Sequence, residues 1–177
     1  MGTPKALVGD EDGTSWLVRS VAALREGGCD RVLVVLGSSA DEARPLLEGY
    51  DVDVVVAQDW NEGMGASLRT GLNALLGGQA VVVSLVDLPD VGSDVIRRLL
   101  ARAVTTATLA RASYDGTPGH PVLIGRDHWA GVVGTARGDR GARDYLAARE
   151  VELVECGDLA TGRDVDTSPT GGQPAAE

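Results

Sequence analysis

The chain contains no phenylalanine and only six aromatic residues, three tryptophans and three tyrosines. With a net charge of −10 it also has no basic excess. It therefore lacks both the stacking platforms and the positive stripe with which proteins hold nucleic acids. Its two cysteines, Cys29 and Cys156, have neither metal-ligand spacing nor a partner framework, which suits a reducing cytoplasm. No apolar run is long enough to span a membrane, and the N-terminus carries no signal-peptide pattern. Lysine is scarcest of all: of sixteen basic residues only Lys5 is a lysine. A compact ammonium kept in an arginine background marks a place where a point charge is wanted, although one leftover lysine has to fall somewhere.

What is abundant is valine, leucine and alanine, which carry most of the 44% hydrophobic content. A chain of 177 residues fits one domain able to bury roughly two-thirds of its unfolded surface. Short Val-rich runs alternate with helical periodicity, the pattern of an α/β sheet covered by helices. Thr14 or Ser15 caps a helix that ends at Gly27 and Gly28, with Leu17, Val18, Val21, Ala22 and Leu24 toward a core. Strands are expected over 31–36, 52–57, 80–86, 106–113, 121–124 and 151–155, and helices over 66–76, 93–103 and 141–149. A further helix at 40–48 must be short or broken because it contains Pro45. Residues 168–177 read as a disordered tail after a domain of residues 1–167.

Five segments carry the candidate chemistry. Asp87-Leu88-Pro89-Asp90 follows the apolar run 81–86, so Asp87 is expected at the carboxyl end of an interior strand, where α/β sheets bind ligands. Asp87 suits magnesium, which takes one or two protein carboxylates and completes its shell with water and phosphate; a plain strand-to-helix turn explains the segment equally well. Asp59-Trp60-Asn61-Glu62-Gly63-Met64-Gly65-Ala66-Ser67 combines two glycines with a helix start whose N–H groups suit an anion or a base edge. Gly116-Thr117-Pro118-Gly119-His120-Pro121 reads as a shaped loop, with a structural role the default for His120. Gly138-Asp139-Arg140-Gly141-Ala142-Arg143 is a cationic turn suited to a phosphate, or a solvated turn with a weak internal ion pair. Asp164-Val165-Asp166 offers carboxylates able to complete a site begun by Asp87.

In this order the segments resemble the nucleotidyltransferases of molybdenum cofactor maturation, in particular the molybdopterin cytidylyltransferase branch, from Met1 to about Thr167. Met1-Gly2-Thr3-Pro4-Lys5 is similar to the end of that family's Gly-rich loop, with Pro before the lysine as in the cytidylyl branch. The resemblance implies a three-layer Rossmann-like, GT-A-like fold with a mixed, mostly parallel sheet and helices on both faces, its first strand and most of its Gly-rich loop lying ahead of Met1. Their absence is expected to leave unpaired backbone groups in the sheet and Lys5 disordered or displaced from the site. The resemblance also implies catalytic roles for Lys5 and Asp87, and nucleotide or acceptor binding by Gly2, Asn61, Gly63, Met64, Ser67, His120, Arg140 and Arg143. Magnesium would sit on Asp87 and one of Asp164 and Asp166, with Asp166 favoured.

The implied reaction moves CMP from CTP onto the phosphate of molybdopterin, the product being passed to a molybdoenzyme. A different acceptor, such as a sugar 1-phosphate or a phospho-acid, GTP in place of CTP, or a non-catalytic module that holds and delivers the cofactor, are the alternatives.

Overall fold

The computed structural model describes residues 4–10 and 12–165. Among these residues six strands and six α-helices follow one another: α1 (Trp16–Glu26), β1 (Leu33–Leu36), α2 (Ala40–Ala43), β2 (Asp53–Val56), α3 (Met64–Ala74), β3 (Ala80–Val83), α4 (Ser93–Leu100), β4 (Leu109–Tyr114), β5 (Thr117–Gly125), α5 (Arg126–Thr135), α6 (Arg143–Ala147) and β6 (Glu152–Glu155). Ser15 caps α1 through a bond from the Val18 N–H to its hydroxyl. The helix at Pro45 is broken as its sequence requires, α2 giving way to a 3-10 turn over Arg44–Leu47. Helix α5 carries no clear apolar stripe and was not expected from the residue pattern.

The sheet is mixed. β1 and β2 pair in parallel, while β3, β5, β4 and β6 form a second piece in that order, with β5 antiparallel to both neighbours and β6 parallel to β4. Among the described residues β1 and β3 each keep one edge without a strand partner. Side chains close what the backbone does not. Leu68 and Leu72 of α3 and Leu75 just after it pack with Val81 and Val83 of β3, and the same helix lies against β1, where an atom at the Cβ position of Gly71 would stand 3.0 Å from Val35.

Alternation along the strands separates two cores. Ala110, Ala112 and Tyr114 of β4 and Leu123 of β5 face Val95 and Leu99 of α4. Leu109, Val122 and Ile124 face the other way, toward Leu72, Val132, Tyr145 and Leu146 of α3, α5 and α6. A third cluster joins Leu17 and Val21 of α1 to Val34 and Leu36 of β1, with Leu47. Helices therefore cover both faces. None of them is long and apolar enough to cross a membrane.

The Gly- and Pro-rich segment 116–121, expected as a loop, forms the first half of β5. The reversal lies just before it, at Asp115 and Gly116, both with positive φ (51° and 78°), the conformation of a two-residue hairpin turn. Pro118 and Pro121 are tolerated because β3 pairs only with residues from Val122 onward, and β4 shifts register between Arg111 and Ser113 opposite them. Glu155 of β6 pins this turn. Its carboxylate accepts from the N–H groups of Asp115 (2.9 Å), Gly116 (3.0 Å) and Gly157 (2.9 Å) and from the Ser113 hydroxyl (2.8 Å). Those donors hold its pKa down at about 2, the backbone N–H groups of Gly116 and Gly157 contributing most.

Candidate active site

Strand β3 ends at Val83, earlier than expected, and residues 84–86 carry the chain on to Asp87 in a turn. Leu85 packs into the α4 core and Val86 into the α1 core, so neighbouring side chains fix this segment from opposite sides. Asp87 is buried, 8% exposed, and its carboxylate accepts from the Lys5 ammonium. The Val165 N–H donates to the Asp87 carbonyl (3.0 Å), which brings exposed Asp164 beside the turn. Asp166 and Gly2 lie outside the described residues. Asp90 holds the same C-terminal segment by accepting from the Thr161 N–H and hydroxyl, both at 2.6 Å.

Lys5 is not displaced. It sits in a 3-10 turn, Lys5–Leu7, behind Pro4. Ala6 and Leu7 pack on the α1 core, the Trp16 N–H donates to the Val8 carbonyl (3.0 Å), and Asp10 accepts from the Trp16 indole (2.8 Å) and pairs with Arg19. These contacts supply the anchorage that a neighbouring strand was expected to provide.

The glycine loop is built differently from expectation. Trp60–Glu62 is a 3-10 turn, Gly63 takes φ 102°, and α3 starts at Met64, two residues early. Arg69 of α3 clips the loop down, donating to Asp59 (2.7 Å), Glu62 (2.8 Å) and the Ala136 carbonyl (3.0 Å). The loop lies directly on the cationic turn: a Cβ on Gly65 would stand 2.8 Å from the Arg137 nitrogen, and one on Gly63 would stand 2.8 Å from the Gly138 carbonyl oxygen. Met64 reaches Gly141 across this contact. Asn61 is exposed and Ser67 half-buried. Arg140 is exposed and paired with Asp144, while Arg143 opens α6 without a carboxylate partner among the described residues.

His120 joins the site from β5. Its carbonyl accepts from the Tyr114 hydroxyl (2.7 Å), and Tyr114 packs against Gly162 of the segment that passes Asp87. Arg111 of β4 donates from Nε (3.0 Å) and Nη2 (2.9 Å) to the Gly119 carbonyl. Burial pushes the His120 pKa down to about 4; the Arg111 and Arg143 charges add to this and Asp87 opposes it. A histidine whose folded pKa lies below its unfolded value binds more protons when unfolded. Its contribution, up to about 3 kcal/mol, is complete above the unfolded pKa of 6.5 and is lost as pH falls from there to about 4. Urea unfolding of wild type and His120→Asn across pH 4–7.5 is the check. The wild type should lose more stability than the variant over this window, and equal slopes would mean that His120 is charged in the fold.

Sequence reasoning thus brought Lys5, Asp87, Asp164, His120 and Arg143 to one region and the Asn61–Ser67 loop to the adjoining turn. It missed Arg69, Tyr114 and Arg111. The last left a signal, an arginine in the middle of the Ala- and Leu-rich strand Leu109-Ala110-Arg111-Ala112.

Residues 1–153 match the family described as the MobA-like NTP transferase domain. The chain belongs to that family. It is 37% identical over 174 residues to nicotine blue oxidoreductase of Paenarthrobacter nicotinovorans, covering 93% of this chain and 84% of that protein. Among solved structures it is similar to the Mycobacterium sp. strain JC1 homolog of Rv0371c, at 28% identity and a TM-score of 0.79, with 93% of this chain and 83% of that one covered. It is also similar to the manganese complex of Rv0371c from Mycobacterium tuberculosis H37Rv, at 25% identity and a TM-score of 0.71, with 88% and 81% covered. The fold is that of a nucleotidyltransferase, and the chain is an enzyme of this class.

Proposed function

We propose that this nucleotidyltransferase moves CMP from CTP onto the phosphate of a molybdopterin-type acceptor and releases pyrophosphate. The observation that carries the reading is the meeting of the single lysine with Asp87, with Asp164 beside the same turn and the His120 and Arg143 side chains near enough to feel these charges. An acceptor phosphate oxygen would form a new bond to the α-phosphorus of CTP. The bond from that phosphorus to the oxygen bridging to the β-phosphate would break, and its electron pair would leave with pyrophosphate.

Asp87, with Asp164 beside its turn, offers hard oxygen donors of the kind a divalent cation takes, and magnesium is the first choice. The manganese complex of the M. tuberculosis protein supports an ion of this class. Bound there, the cation would neutralise charge on phosphate oxygens. The chain's own groups do the rest by position and charge. Lys5 would release Asp87 to the cation and carry its charge to the α-phosphate or the departing pyrophosphate. The 61–67 loop would receive the base, and His120, Arg140 and Arg143 would face the acceptor.

Pyrophosphate release from CTP, GTP and ATP with a molybdopterin acceptor and magnesium tests the reading. Turnover is expected with CTP at about tenfold or more the kcat/KM of the other two, which is 1.4 kcal/mol of discrimination. A preference for GTP would move the enzyme to the guanylyl branch.

The 37% identity to nicotine blue oxidoreductase favours a second reading, a redox reaction on that dye. Incubation with nicotine blue and a reduced nicotinamide donor separates the two. Loss of the blue absorbance without any pyrophosphate release would replace nucleotidyl transfer with the redox activity.

A further inference from the structure

Arg111 is a costly residue where it stands. It lies between Ala110 and Ala112, both fully buried on the α4 face of β4, so alternation turns it to the opposite face, the one carrying Leu109. That face is covered by α6, whose Tyr145 and Leu146 pack with Leu109 and Val122. Val122 is also the residue paired with Arg111 across the β4–β5 ladder. Arg143 stands three residues before Leu146, on the same side of α6, so the apolar contact between strand and helix continues into two arginines.

No carboxylate answers either of them. Arg19, Arg25, Arg31, Arg69, Arg97, Arg98, Arg102 and Arg140 pair with acids. Arg44, Arg126, Arg137, Arg149 and Arg163 show no ion pair among the described residues but are exposed, as Arg143 is, whereas Arg111 is half-buried. Arg111 meets only the Gly119 carbonyl, and Arg143 has no partner in any hydrogen bond or ion pair among the described residues. The two charges are near enough to depress the Arg111 pKa further, after burial, which is the larger cause. Like charges held together without a counterion, in the region of the Lys5–Asp87 pair, are a site arranged for an anion.

We propose that Arg111 and Arg143 form the subsite for the phosphate monoester of the acceptor, with His120 as its wall. The proposal rests on the nucleotidyl-transfer reading and adds to it the groups that hold the attacking phosphate. Arg111 already spends Nε and Nη2 on Gly119, which fixes the plane of its guanidinium and leaves Nη1 for the ligand. Gly119 precedes His120, so one arginine both shapes the wall and presents charge beside it.

The test uses Arg143→Gln, at an exposed position in the first turn of α6, and Arg111→Lys, which keeps the charge and loses the fork. Steady-state transfer at varied CTP and varied acceptor is combined with calorimetric titration by inorganic phosphate and phenyl phosphate, circular dichroism reporting the fold. Each variant is expected to raise the acceptor KM about tenfold or more, the scale of one charge-assisted contact, with the CTP KM changed less than twofold. Phosphate affinity of the resting enzyme should fall in parallel. A rise in the CTP KM with the acceptor KM unchanged would overturn the proposal by moving both arginines to the nucleotide side. If the wild type performs no transfer yet binds phenyl phosphate, and both folded variants lose that binding, the subsite stands and the reaction assigned to it falls. Undiminished phosphate binding in both variants overturns the subsite whatever the reaction.

Discussion

Asp87→Asn is expected to abolish nucleotidyl transfer, by about a thousandfold or more, while the protein remains folded. The substitution is nearly isosteric and keeps an oxygen at the same place. It removes the charge that both Lys5 and a divalent cation require, and an amide is a poor ligand for a hard ion. The fold should survive because the structural role of this turn is carried by the backbone: the Asp87 carbonyl still accepts from Val165, and Leu85 and Val86 remain in their separate cores. Pyrophosphate release at saturating magnesium, with a circular dichroism melt on the same sample, gives the result. A folded Asp87→Asn enzyme that turns over near the wild-type rate would remove Asp87 from the mechanism.

The second large effect belongs to a methyl group. In Gly65→Ala the new Cβ would meet the Arg137 nitrogen at 2.8 Å, its carbonyl carbon at 2.9 Å and the Ala136 carbonyl carbon at 3.0 Å. All three are backbone atoms, which cannot rotate aside as a side-chain tip can. The glycine loop and the cationic turn must therefore separate, at a cost of about 1–3 kcal/mol. Displacements of this size at a positioning loop also cost on the order of a hundredfold in rate. Gly134→Ala in α5 is the control: nothing lies within 4 Å of its Cβ position, so replacing a helical glycine there should stabilise by about 0.5–1 kcal/mol. Gly65→Ala matching the wild type in melting temperature and turnover would mean that the loop and the turn do not act as one unit.

These expectations also mark how far the sequence could be read. Val-rich runs announced β1, β2 and β3 because β-branched side chains favour strands, and Pro45 announced the break after α2. The position of Asp87 just beyond β3 was legible because the apolar run ends there, although a plain turn would read the same way. Helix α5 was not legible, since of its residues only Val132 is deeply buried and its glycines dilute the periodicity. One of them, Gly131, is needed because the Tyr145 ring of α6 occupies the space a Cβ would take, a fact that exists only once both helices are packed. Arg111 left a local signal, but its meaning was illegible for the same reason. Its meaning depends on which residue pairs with it across a hairpin and which helix covers that face, neither of which is a local property of the chain.

The division of the sheet bears on how occupancy and cohesion are related. Backbone bonds hold β1 to β2, and β3 to β5, β4 and β6, but between β1 and β3 the described residues are joined by side chains, α3 lying across both pieces. The Lys5–Asp87 pair runs between the same two pieces, because Lys5 belongs to the segment packed on the α1 core and Asp87 follows β3. Anything that binds both groups therefore ties one half of the molecule to the other. Its affinity includes the work of holding the halves in register, and its free concentration sets how long they stay so, each tenfold excess over the dissociation constant adding about 1.4 kcal/mol to cohesion. The enzyme in a cell rich in its substrate is, in this sense, a sturdier object than the same chain alone in buffer.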